Sequence, residues 1–200
     1  MLINSNAVKG FKLHGRDGEI GKVKEFYFDD HHWAIRYLIA DTGSWLTGRA
    51  VLISPHAITE VSCDEQFIGV SLTKKEIEDS PSINSDKPVS QQFEDSYYGY
   101  YGWPAYWSGP YLWGFDPHII HERDKNEPTT PEQRSWDHHL RSTHDVSGRH
   151  VQANDGAIGH VEDFLIDDET WAIRYLIVDT KNLWPGKHVL LSPQWVKRLS

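Results

Sequence analysis

The chain has 200 residues, 38% of them hydrophobic, and a formal net charge of −9 with histidine neutral. That length holds one large domain or two small ones. An acidic chain without a Lys/Arg run is a poor counterion for phosphate, which argues against nucleic acid and against an anionic membrane surface.

A single cysteine, Cys63, excludes an internal disulfide framework and a cysteine-built zinc site, and it reads as a small strand-end filler rather than a nucleophile. No apolar run approaches the roughly 20 residues of a membrane span. The opening "MLINSNAVKG" has neither the basic nor the apolar region of a signal peptide. The expectation is a soluble, cytoplasmic protein, with peripheral association as its only membrane contact.

Asp17-Gly18 is a hairpin-turn dipeptide, since glycine tolerates the positive φ that the turn needs. A strand, "EIGKVKEFYFD", follows, and Gly21 within it marks a bulge or sharp bend. Asp29-Asp30 stand at the tip of a second hairpin. Their spacing is not that of a calcium loop, and aspartate is a preferred turn residue. In the next strand, "WAIRYLIAD", Trp33, Ile35, Tyr37 and Ile39 share one face, and Ala34, Arg36, Leu38 and Ala40 the other. Both faces are largely apolar, so the strand is expected to be central. Arg36 inside it needs an acid, either Asp41 or a turn aspartate, which predicts an architectural ion pair; a shared ligand anion is the alternative. Short strands are expected at 50–53, stopped by Ser54-Pro55, and at 66–72. Thr73-Lys74-Lys75-Glu76 has the form of a capping box opening a helix that Pro81 ends.

Residues 80–145 are of another kind. A polar loop leads into a short helix at 90–98 and then an aromatic run broken by glycine and proline. Tyr97, Tyr98, Tyr100, Tyr101, Trp103, Tyr106, Trp107, Tyr111 and Trp113 are the candidate contact residues. They suit a protein-binding surface, or a stacking platform for a sugar or base. The competing reading lays these rings across the strands as the core of a connector, because a free aromatic segment is sticky. Residues 116–140 are polar and histidine-rich. His31-His32, His118 with His121, and His138-His139 with His144 have ligand chemistry, but no HExxH form or cysteine supports them. They are expected to be solvated, with no metal and no cofactor.

The last part of the chain repeats the first at an offset of 138. "DGEIGKVKEFYFDDHHWAIRYLIADT" is answered by "DGAIGHVEDFLIDDETWAIRYLIVDT", and "GRAVLISP" by "GKHVLLSP", with roughly half the residues identical. Trp33, Arg36 and Asp41 thus have partners in Trp171, Arg174 and Asp179. Catalytic motifs are rarely duplicated intact, so the repeat reads as scaffold. Nothing follows "VKRLS" to match 66–79, so the second copy is expected to lack a final strand. Its open edge then needs cover from the linker, the first copy, or another subunit in a homodimer.

These motifs, with "LISP" and "VSLTKKEIEDSP", resemble the PRC-barrel family, the small all-β module of the photosynthetic reaction centre H subunit that also occurs in the ribosome-maturation factor RimM. The resemblance covers about two thirds of the chain. It implies an all-β fold of two small PRC-type barrels: one over 1–80, an aromatic and His-rich linker with short helices over 81–141, and a shorter one over 142–200. It also implies a non-enzymatic scaffold or adaptor with an unidentified protein partner, in a photosynthetic or other membrane-associated assembly. The alternative is a sugar- or quinone-binding protein that uses the aromatic linker.

Overall fold

The computed structural model describes residues 1–46, 50–81, 89, 91–108, 113, 140–153, 156–180 and 187–196. Along the chain run β1 (Leu2–Asn4), β2 (Lys12–Gly15), β3 (Gly18–Asp29), β4 (Ala34–Asp41), β5 (Val51–Ile53), β6 (Ile58–Ser62) and β7 (Phe67–Val70). Helices α1 (Lys74–Asp79) and α2 (Gln91–Tyr101) follow, then β8 (Leu140–Ser142), α3 (Thr143–Val146), β9 (His150–Ala153), β10 (Gly156–Asp167), β11 (Ile173–Asp179) and β12 (His188–Leu191). The architecture is mostly β, in two sheets. One has the order β5-β4-β3-β2-β7-β6, with β8 also on β3; the other has β1-β10-β11-β12, with β9 also on β10. Among the described residues neither strand path closes on itself.

Local chemistry sets the turns. Gly15 pairs with Gly18 across the two-residue turn Arg16-Asp17, so the turn sits one residue earlier than the expected Asp17-Gly18 and Gly18, at φ +131°, opens β3. At Gly21 an added Cβ would lie 2.1 Å from the Asp41 carbonyl oxygen, and at Gly159 2.0 Å from that of Asp179. Only glycine lets these strands approach so closely, and the ladder shifts register beside each. At the next hairpin Asp29 Oδ1 accepts from the backbone N–H of His31 and His32, and Asp167 Oδ1 from Glu169 and Thr170. Each aspartate therefore closes its own turn. Trp33 and Trp171 complete the turns at φ 54° and 58°.

The capping box is present: Thr73 Oγ1 accepts from Glu76 N, and Glu76 Oε2 accepts from Thr73 N. Helix α2 runs three residues past the expected end, through Gly99, and stops at Gly102 with φ +68°. β4 is buried along almost its whole length, as its two apolar faces predict. β6 fills a stretch not read as a strand from its sequence.

Each sheet takes a strand from the other half of the chain. β1 pairs with β10 through Leu2–Asp167, Ile3–Ile166 and Asn4–Leu165. β8 pairs with β3 through Leu140–Asp29, Arg141–Phe28 and Ser142–Tyr27. Every one of these pairs matches its counterpart at the offset of 138. Between the two, Ile35 N donates to Trp171 O at 2.8 Å and Ile173 N to Trp33 O at 2.7 Å, around a bridge between Ala34 and Ala172. The rings of Phe28 and Phe164 meet at 5.4 Å, so the apolar core runs on from one sheet to the other. Beyond β2 the first sheet continues with β7 and β6, whereas no described strand lies beyond β9. No helix among the described residues is long and apolar enough to cross a membrane.

Candidate functional site

The two strand arginines each find the turn aspartate seven residues earlier, not the aspartate five residues later. Arg36 Nη2 donates to Asp29 Oδ2 at 2.9 Å, and Arg174 Nη2 to Asp167 Oδ2 at 2.7 Å. Asp41 is exposed, while Asp179 is buried in another setting. Arg36 has no exposed surface, and its guanidinium lies 3.8 Å from the Tyr106 ring centroid and 5.0 Å from that of Trp113. Burial pushes the Asp29 carboxyl up, but Arg36 and then His32 outweigh it and hold it well below the usual carboxylate range. Burial likewise works against the Arg36 charge, and Asp29 more than restores it.

Helix α2 and the segment after it cover this pair. Tyr97 OH donates to Leu52 O at 2.9 Å and accepts from Ser54 N at 3.1 Å, which satisfies the edge of β5. Tyr98 OH lies 3.4 Å from Ser54 Oγ. Glu94, buried, accepts from Tyr37 OH and Tyr106 OH, both at 2.8 Å. Burial raises the hydroxyls of Tyr37, Tyr97 and Tyr98 well above their ordinary pKa, so they remain neutral donors. Trp103 stacks on Tyr101 at 4.5 Å, and Trp107 meets Tyr98 at 5.4 Å. Trp113 Nε1 donates to Thr170 O, reaching the second sheet's turn. Tyr97, Tyr98, Tyr106 and Trp113 thus face inward, Trp103, Trp107 and Tyr101 are half-buried, and Tyr100 is exposed. Tyr111 lies outside the described residues.

Among the described residues, no such cover lies over the matching face of the second sheet. By the two-residue strand period and the pairing of Ile177 with Leu190, Tyr175, Ile177 and Leu190 share a face. Their counterparts at the offset of 138 are Tyr37, Ile39 and Leu52, all buried. Tyr175 is 38% exposed and Leu190 51%, and Trp195, whose counterpart Ala57 is buried, is 72% exposed. The same strand pattern therefore yields core in one sheet and apolar surface in the other.

A cleft of about 570 Å³ opens where the two sheets meet, lined by His56, Glu60, Trp113, Asp168 and Trp171. The Met1 amino group closes one side through its contact with Asp168.

Of the histidines, His32 Nδ1 lies 2.7 Å from Asp29 Oδ2, and His144 sits in the first turn of α3. His118, His121, His138 and His139 lie outside the described residues. Cys63 is exposed just after β6. The strand register also sets His160 and His188 on either side of Asp179. A search for paired histidines within loops passes over these two, because strand pairing, not sequence, makes them neighbours. No protein-family model matches this chain, and no curated protein does.

Proposed function

We propose that this chain is a non-enzymatic scaffold of duplicated PRC-type barrel architecture, working through protein–protein contacts made by the second sheet. The observation that carries this reading is the exposure of Tyr175 and Leu190 on one sheet face, with half-buried Ile177 between them and exposed Trp195 in the turn that follows, set against the buried Tyr37, Ile39 and Leu52. Exposed aromatic and aliphatic side chains grouped on one strand face suit association. The deepest charges are spent on architecture, in the Asp29–Arg36 pair and in Glu94 under two tyrosines. The resemblance noted from sequence suggests a photosynthetic or other membrane-associated assembly as the kind of complex it joins.

Affinity capture from native lysate tests this, comparing wild type with Leu190→Asp and Trp195→Asp. Both positions are exposed, so both variants keep the wild-type circular dichroism spectrum. A partner lost from both variants supports the reading. A partner retained by both moves the contact elsewhere, and light scattering that shows wild-type dimers dissolved by Leu190→Asp identifies a second copy as the partner.

The cleft favours a second reading, a quinone or sugar held between Trp113 and Trp171. Quenching of tryptophan fluorescence on titration, abolished in Trp171→Leu, would support it over the scaffold.

A further inference from the structure

We propose that His160, Glu162, Asp179 and His188 form a binding site for a divalent transition-metal ion, with zinc the ion best matched to the donors. His160 pairs with Asp179 across β10 and β11, and Asp179 with His188 across β11 and β12. Directly opposed residues on neighbouring strands have Cβ atoms about 5 Å apart, so the ladder itself lines up three ligands. The fourth comes from an irregularity. The register of β10 against β11 slips between Val161 and Asp163, leaving Glu162 as the extra residue of a bulge. Bulges re-aim side chains, and here Glu162 Oε2 reaches His188 Nε2 at 2.6 Å.

The distances are those of a site ready to close. One ligand atom from each of Glu162, Asp179 and His188 lies within 4.8 Å of the others, and His160 Nε2 is 3.8 Å from Asp179 Oδ2. Zinc bonds of about 2.0–2.2 Å in a tetrahedron place ligand atoms roughly 3.4 Å apart. Small rotations draw the outer atoms in, and the Glu162–His188 contact widens by somewhat under ~1 Å. Asp179 is buried, while His160, Glu162 and His188 reach solvent, so an ion has both an anchor and a way in.

The first half of the chain supplies the contrast. Its counterparts are Lys22, Lys24, Asp41 and Ala50, and the same bulge is present between Val23 and Glu25. There the backbone presents two ammonium groups, and the aspartate is exposed. The repeat keeps the scaffold and the acid, but changes three of four side chains to metal ligands on one copy only. Imidazole with carboxylate suits zinc among borderline ions. Such an ion would pin the edge strand β12 to β10 and β11.

The test uses the full chain, made without a polyhistidine tag and stripped by chelator. Zinc chloride is titrated by calorimetry and cobalt chloride by visible absorption. The expected result is one ion per chain, tetrahedral cobalt bands, and binding weakened roughly tenfold or more in His160→Ala and in His188→Ala. Both imidazoles are partly exposed, so these variants retain the wild-type circular dichroism spectrum. Changing His118, His121, His138 and His139 together to Ala leaves the ion in place. The absence of stoichiometric binding overturns the proposal, as does full binding in a folded His160→Ala/His188→Ala double variant.

Discussion

The two Asp–Arg pairs are written identically, seven residues apart on the same hairpin, and they occupy opposite environments. Asp29–Arg36 lies under α2, Tyr106 and Trp113 with no access to water, whereas the Arg174 side chain is 37% exposed. The contacts differ in detail, since Arg174 reaches Asp167 Oδ2 through both Nε and Nη2 while Asp29 Oδ2 meets Arg36 Nη2 and His32 Nδ1, but the larger difference is the cover. A buried pair must be completed, because either charge left alone has no water to turn to. An exposed pair competes with water throughout and contributes little. The value of a contact here is set by what the intervening segment lays over it, and among the described residues that segment buries the first copy's pair and leaves the second partly exposed.

The largest expected effect follows from this difference. Asp29→Asn strands the Arg36 charge in the core and should cost about 3–5 kcal/mol in urea unfolding. Asp167→Asn should cost about 1 kcal/mol or less. Equal losses at the two sites would break the comparison. The acid limb of stability gives the same contrast. The folded pKa of Asp29 is depressed, so its stabilisation is complete above the unfolded value of about 3.9 and is lost as pH falls below that toward the folded value. Melting temperature should fall steeply below about pH 4 in wild type, and more gently in Asp29→Asn.

Much of the β framework is legible because it rests on local rules. The tight turn ahead of Gly18, read one residue late as Asp17-Gly18, the bend at Gly21, the stop at Ser54-Pro55 and the capping box at Thr73 each depend on one or two residues and their own backbone. What is not legible depends on distant pairing. "LIN" at 2–4 and "LRS" at 140–142 are too short for a period, and only the fold shows that each completes the other half's sheet. The partner of Arg36 had two local candidates, and burial chose the turn acid. The aromatic run announces apolar surface but not its direction, which Glu94 and the free edge of β5 decide. The row of His160, Asp179 and His188 is likewise created by register alone.

Smaller effects sharpen the comparison. Tyr97→Phe removes a hydroxyl that satisfies Leu52 O and Ser54 N, leaving both buried, and should cost about 1–3 kcal/mol. Tyr175→Phe, on the bare face, should stay within about 0.5 kcal/mol. Gly21→Ala and Gly159→Ala are a control, since each meets a carbonyl at the same close range. Both should destabilise by more than about 1 kcal/mol, and by similar amounts, because the scaffold is common to both copies even where the cover is not.

The smallest effect on stability is the most informative about function. Leu190→Asp places a carboxylate where the side chain is already half in water, so urea unfolding should move by no more than about 0.5 kcal/mol. Leu52→Asp, the same change beneath α2, buries an unpaired charge and should prevent folding. If Leu190→Asp instead destabilises the isolated chain as Leu52→Asp does, then Leu190 belongs to the core and the second sheet has no free face to offer. If it leaves stability unchanged and abolishes association, the face covered in one copy by the chain's own helix is, in the other, where a partner docks.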